Sequence, residues 1–483
     1  MLDYFLLGYC CAQVSAFTFG RIGYVGPNSA KSSASFRTEN QRGNGFKPLL
    51  AKDGEGPGFL SSPYDIGDSD DLIGDTESGR SMNTLLAVPE NTKLVLGLNK
   101  YSHDTSICAA DASSGEVLFC LSKERISRLK HDGGASHTLV QTCLDALNLS
   151  INNIQRVVVN NHHYRTLPLE NDLILYKRAT WQAALNMNNA DGGLDDEFNL
   201  LAEVEDKHEL SHHLAHAYSV AAQAPFDRGL VVVMDGMGET YRAMLDAIES
   251  NDDNYTCDLE FENQFIQVPS NIKERSATSK FDWREAESAY TFEKLEGRKI
   301  SVKPFFKRWI EERTPPVLYN HGFDSMESLG AVYSRASTHL FGDWNACGKV
   351  MGLAPWSVYS WKDGKDGNFE SREERIMTGK LYLDGDFKVN RFLINDMPLK
   401  GRTSYEFDKE DSPSEQGMEA IHLASTVQQD LEDIAIDFVQ WLKKETGENN
   451  LCLAGGVALN SVLNGRLVRE LGFEKFYIPP CPG

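Results

Sequence analysis

Short apolar runs alternate with segments of helical spacing, and this alternation occurs twice in one chain. It constrains the fold more than any other feature of the sequence. Lys93–Asn99 (KLVLGLN), Asp104–Asp111 and Val117–Ser122 have the length and composition of strands, the last two joined by the turn Ser113-Ser114-Gly115. Ser136–Leu147 follows with helical spacing, and Gln155–Asn160 (QRVVVN) is a further buried strand. Strand, strand, strand, helix, strand is an α/β pattern that opens on a hairpin.

The theme then returns. Ser211–Ala222 has helical spacing, Gly229–Met234 is a continuous apolar run suited to a central strand, and Asp235-Gly-Met-Gly turns into a second predicted strand at Thr240–Ile248. Residues 249–320, charged and carrying Pro315-Pro316, are expected to be an insertion. Helices are predicted at Glu327–Phe341, Met418–Thr446 and Ala458–Leu471, with strands at Leu451–Leu453 and Lys475–Ile478. The copies share pattern rather than residues, and duplication implies two lobes with a cleft between them.

The chain before Lys93 has a different character. Residues 1–52 carry net charge +4, and Tyr4–Ala16 is a short apolar run ending in small residues. Together they have the form of a signal-plus-transit presequence, so a plastid destination is expected, with the cytoplasm as the alternative. Residues 53–92 hold net charge −8 among Gly, Ser and Pro and are expected to be an acidic linker. Of nine cysteines two, Cys10 and Cys11, fall in the expected presequence, and the other seven, without paired metal-ligand spacing, read as thiols of a reducing compartment. A net charge of −22 argues against nucleic acid held on a general basic surface. The apolar runs stop short of the ~18–20 residues of a membrane span, so no membrane partner is expected.

The densest chemical feature is Ser211-His-His-Leu-Ala-His-Ala217. On a helix His212 and His216 project from one face, as metal ligands do, while His213 points elsewhere. Asp235 ends the apolar strand that follows, where a carboxylate is costly unless paired or ligated. Two imidazoles and one carboxylate leave coordination positions open, as catalysis requires. Polar residues incidental to a helix are the alternative. Gly236 and Gly238, Gly352, and Gly455 with Gly456 allow close backbone approach; each alone is more often an ordinary turn, and their joint placement at strand ends makes them candidates for a nucleotide cleft. His103, at a strand junction, is a candidate general base or a polar turn residue. Lys130 is a candidate anion partner or a surface charge.

Taken in order, Gly97-Leu-Asn, His103-Asp104, Lys123-Glu-Arg, Lys130-His-Asp132, His212-His-Leu-Ala-His216, Met234-Asp-Gly-Met-Gly238, Glu327-Ser-Leu-Gly-Ala-Val-Tyr333, Gly348-Lys-Val-Met-Gly-Leu-Ala-Pro355 and Ala454-Gly-Gly-Val-Ala-Leu-Asn460 resemble the motifs of the O-carbamoyltransferase family of nodulation-factor and antibiotic enzymes. The resemblance spans about residues 94–483 and covers the N-terminal domain of such enzymes, which is similar to the tRNA threonylcarbamoyl-transfer protein. It implies a duplicated, two-lobed α/β fold of the actin, sugar-kinase and heat-shock-chaperone class, here with the second lobe incomplete.

The resemblance also implies a reaction. A C-terminal YrdC-like domain, absent from this sequence, makes carbamoyl-adenylate from carbamoyl phosphate and ATP. The N-terminal domain then passes the carbamoyl group to a hydroxyl of a small-molecule or sugar acceptor, aided by a divalent metal, usually iron(II). By position, His212, His216 and Asp235 would be metal ligands and His103 the base. Gly236, Gly238, Gly455, Gly456 and Asn460 would line the adenylate site, together with Lys130 and Gly352. In the family a further Asp, expected about where this sequence ends at Gly483, completes the metal site. A tRNA threonylcarbamoyl-transfer enzyme and a non-catalytic nucleotide-binding remnant are the alternatives.

Overall fold

A computed structural model describes residues 88–99, 104–128, 137–160, 204–249, 256–257, 264–272, 274–275, 282–297, 299–312, 326–358, 375–396 and 415–483. The expected presequence and most of the expected linker lie outside these residues. The fold begins slightly before Lys93, because Val88 already packs against the first core and Thr92 is buried.

The first sheet comprises β1 (Leu94–Asn99), β2 (Ser106–Asp111), β3 (Val117–Ser122), β4 (Ile154–Asn160), β5 (Lys207–Leu210) and β7 (Thr256–Cys257), in the spatial order β3-β2-β1-β4-β5-β7. β2 runs antiparallel to both β1 and β3, whereas β4 lies parallel to β1, and β5 parallel to β4. Helix α1 (His137–Leu147) covers one face, burying Leu139, Val140, Cys143 and Leu144 against Leu96, Ile107 and Val157. The period of two in the strands sends alternate side chains to this face, while Val95, Ala110 and Val158 go to the other.

The second sheet repeats the plan. It comprises β6 (Arg228–Met234), β8 (Asp282–Leu295), β9 (Lys299–Glu312), β12 (Asn450–Ala454) and β13 (Lys475–Tyr477), in the order β13-β12-β6-β8-β9. Again the first strand is flanked by an antiparallel hairpin on one side and two parallel strands on the other. The shared five-strand order in both sheets is the duplication anticipated from the sequence, and it is the architecture of the actin, sugar-kinase and heat-shock-chaperone class.

Two sequence expectations need correction. Within the expected insertion, residues 282–312 belong to the fold itself, because β8 and β9 are the second and third strands of the second sheet. Their charge is misleading: Arg284, Glu285, Glu287 and Lys307 are wholly or almost wholly buried, and they neutralise one another or neighbouring groups inside the protein. The predicted strand Thr240–Ile248 is helix α3 (Tyr241–Glu249), its apolar side packed on Trp309 and Ile272.

Helix α2 (His212–Gln223) joins the two sheets. Leu214, Ala217, Tyr218, Val220 and Ala221 share one core with Val95, Ala110 and Val158 of the first sheet and Val231, Val233, Cys452 and Ala454 of the second. The opposite face of the second sheet is covered by α4 (Leu329–Phe341) and the 32-residue α6 (Glu415–Thr446), with the short α5 (Cys347–Leu353) beside them. Two-residue strands β10 (Met377–Thr378) and β11 (Lys388–Val389) form a small separate pair, and α7 (Ser461–Glu470) connects β12 to β13. Among the described residues no helix is long and apolar enough to cross a membrane.

Candidate metal centre

The parallel strands β6 and β12 end side by side, with Val233 opposite Ala454. Open α/β sheets place ligands at such carboxyl ends. Asp235 leaves β6 there, and Gly455-Gly456 leave β12. Gly455 has φ 88° and ψ 163°, a conformation essentially confined to glycine, and a Cβ on it would lie 2.4 Å from the Met234 carbonyl oxygen. Helix α2 starts immediately after β5, so its first turn brings His212 and, one turn on, His216 to the same place.

The three side chains meet. His212 Nε2 is 2.8 Å and His216 Nε2 3.5 Å from Asp235 Oδ2, and one candidate ligand atom from each residue falls within 4.8 Å of the others. The other carboxylate oxygen, Oδ1, accepts the Gly456 backbone N–H at 2.9 Å, which fixes the carboxylate's rotation. All three residues are partly buried. Burial alone would raise the Asp235 pKa, but hydrogen bonds and charge from His212 and His216 overcome it and hold the carboxyl well below its ordinary range. For His212, burial opposes protonation, and the Asp235 hydrogen bond and charge outweigh it, so its pKa is raised. The donor set suits a borderline divalent metal: two imidazole nitrogens and one carboxylate, with Asp235 already ionised.

His213 points the other way, as its spacing predicts. It is wholly buried, with Nδ1 2.7 Å from Ser288 Oγ, and burial holds it neutral with a pKa of about 3.

The predicted glycines divide into different roles. Gly236 lies against the start of α4: its carbonyl accepts the Ser328 hydroxyl at 2.5 Å, and Gly330 has no room for a Cβ because the Asp235–Gly236 peptide is 2.5–2.7 Å away. Gly238 is enclosed; a Cβ there would meet Glu285 Cβ at 2.6 Å and His213 Nε2 at 2.8 Å. Gly352 is exposed on α5, where a Cβ would meet nothing within 4 Å. Asn460 is buried and its amide is committed. Its Oδ1 accepts from Leu463 N, capping α7, and from Gln428 Nε2, while its Nδ2 donates to Gln428 Oε1. The structure thus brings His212, His216, Asp235, Gly455 and Gly456 together, and ties Gly236 and Gly238 to the loop that follows Asp235. His103 and Lys130 lie outside the described residues.

Sequence reasoning missed the charges beneath this loop. Glu239, Glu285 and Lys307 are all wholly or almost wholly buried, and Lys307 contacts Glu285 Oε1. Burial raises the Glu239 pKa to about 7, and its Oε2 has no hydrogen-bond partner among the described residues. The signal of Glu285 and Lys307 in sequence is charge alternating with aromatic residues along two long strands, which equally describes an exposed hairpin.

A two-lobed α/β protein with a His-His-carboxylate cluster at the carboxyl ends of its second sheet is the class that fold and site define. The chain belongs to the carbamoyltransferase N-terminus family, whose model matches residues 94–483. An uncharacterized protein of Synechocystis is 25% identical over 416 residues, covering 80% of this chain and 54% of the relative. The nodulation protein NolNO of Sinorhizobium fredii is 23% identical over 402 residues, covering 79% of this chain and 45% of its own. The chain therefore spans about half the length of these curated relatives. Among solved structures, full-length HypF in its phosphate- and nucleotide-bound form matches with TM-score 0.33 and 13% identity, over 80% of this chain and 52% of HypF.

Proposed function

We propose that the protein transfers a carbamoyl group from carbamoyl-adenylate, derived from carbamoyl phosphate and ATP, to a hydroxyl of a small-molecule or sugar acceptor, at a divalent metal, iron(II) by preference, held by His212, His216 and Asp235. The observation that carries this is the convergence of those three side chains, within 4.8 Å, in a chain of the carbamoyltransferase N-terminus family. A metal bound there supplies Lewis-acid polarisation of the carbamoyl carbonyl.

The chain's own residues do the rest. Asp235, ionised and rotationally fixed by Gly456 N–H, orients the ligand set. Gly455 and Gly456 keep the strand ends open to a nucleotide, and Gly236 and Gly238 let the adjoining loop pack closely on α4 and on Glu285 and His213; Gly352, Lys130 and Asn460 complete that site, Asn460 by holding α7 in place through its cap. His103 accepts the proton of the acceptor hydroxyl. The hydroxyl oxygen then bonds to the carbamoyl carbon, the carbon–oxygen bond to phosphate breaks, and AMP leaves with the electron pair. Incubation with synthetic carbamoyl-adenylate and a panel of monosaccharides and polyols tests this. The proposal expects acceptor-dependent AMP release that falls by at least about 100-fold in Asp235→Asn. Equal AMP release by wild type and variant would overturn it.

A further inference from the structure

The β8–β9 pairing contains a one-residue bulge: Glu285 stands opposite Trp309, but Ser288 stands opposite Lys307. A bulge shifts the phase of a strand and re-aims its side chains. Ala286 and Glu287 both turn toward α4, where Ala286 packs with Ala331 and Glu287 accepts the Leu329 N–H. Glu285 and Ser288 both turn toward α2, where they meet His213 at 3.9 Å and 2.7 Å. Regular alternation would have placed Glu285 and Ser288 on opposite faces.

Glu285, so placed, grips the loop after Asp235 through backbone and side chain. Gly238 N–H donates to the Glu285 carbonyl at 2.9 Å, Glu285 N–H to the Glu239 carbonyl at 3.0 Å, and Glu239 N–H to Glu285 Oε2 at 3.2 Å. Gly238 is clasped between Glu285 and His213 with no space for a Cβ. Lys307, itself wholly or almost wholly buried and facing the Tyr290 and Trp309 rings, supplies the countercharge. A buried ion pair is a weak source of stability, since an apolar or neutral replacement is often no less stable. This pair bonds the segment that follows one metal ligand and touches the neighbour of another.

We propose that Lys307 and Glu285 are positioning residues of the metal centre, holding the Asp235 loop and helix α2 in the relative placement that lets His212, His216 and Asp235 converge. This rests on the metal assignment above. The test is cobalt(II) titration followed by its visible d–d absorption, in wild type and in the charge-free double variant Glu285→Gln/Lys307→Met, with thermal melting of each. Leu442→Ala, a core change outside the site, reports the loss that destabilisation alone produces. The expected result is a folded double variant whose cobalt affinity is lower by about 10–100-fold, with an altered spectrum, while Leu442→Ala binds as wild type does. Unchanged affinity and spectrum in the double variant, or an equal loss in Leu442→Ala, overturns the inference and leaves the metal assignment standing. Wild-type protein that takes up no cobalt overturns both. Should the double variant not fold, Glu285→Gln/Lys307→Gln, equally charge-free and able to keep a hydrogen bond between the two side chains, is held to the same outcomes.

Discussion

His212 and Asp235 are coupled before any metal arrives, and this coupling gives the metal-free protein a specific pH response. His212 has a folded-state pKa above its unfolded value, so its contribution to stability is complete below about pH 6.5 and is lost as pH rises through the raised value. Asp235 has a lowered pKa, so its contribution is present above about pH 4 and lost as pH falls through the depressed value. Metal-free wild type is therefore expected to lose more melting temperature between pH 6 and pH 9 than Asp235→Asn, in which His212 has no carboxylate partner. Equal losses would show that the pair is not coupled. Gly455 makes a second claim at this scale. Gly455→Ala forces a Cβ into the Met234 carbonyl and an unfavourable backbone conformation, and should cost about 1–3 kcal/mol or more by urea denaturation. The three clustered residues were legible in sequence because i,i+4 spacing on a helix and a carboxylate after an apolar strand are local signals. The commitment of Asn460 to Gln428 was not, since its partner lies on another helix 32 positions away.

Secondary-structure elements reach the site through their ends. The N-cap of α4 links helix to site: Ser328 Oγ accepts the Ala331 N–H at 3.0 Å and donates to the Gly236 carbonyl at 2.5 Å. Ser328→Ala removes both bonds and is expected to destabilise by about 1–2 kcal/mol, measured by chemical denaturation. A change below about 0.3 kcal/mol would mean the cap is satisfied by other groups. Most helices and apolar strands were legible from periodicity. The hairpin β8–β9 was not, because hydropathy treats every charge as a surface residue, whereas Lys307–Glu285 and Arg308–Glu287 are paired with their carboxylates buried. The bulge that aims Glu285 also breaks the alternation by which a strand is recognised. Helix α3 reads as a strand for a simpler reason: over so short a stretch as Thr240–Ile248, the spacing of aromatic and apolar residues fits either period.

Two copies of one strand order meet across α2, and the burial of that helix makes the copies dependent on each other. Leu214 is 1% exposed in the core that includes strands of both sheets. Leu214→Ala should cost about 2–5 kcal/mol, read as a lowered denaturation midpoint. A cost below about 1 kcal/mol would contradict a close-packed helix between the sheets. The repeated order was visible in the sequence as a repeated theme, although the second hairpin lies in residues whose charge disguises it. What the sequence left open is how the ends of β6, β12 and α2 combine, since that depends on parallel pairing between segments more than 200 residues apart. The claim that they form a metal centre is tested most directly by anaerobic calorimetric titration with iron(II). Wild-type protein should bind one ion per chain, and His212→Ala should lose that binding while remaining folded. Wild-type protein that binds none, or His212→Ala that binds as tightly as wild type, would contradict it.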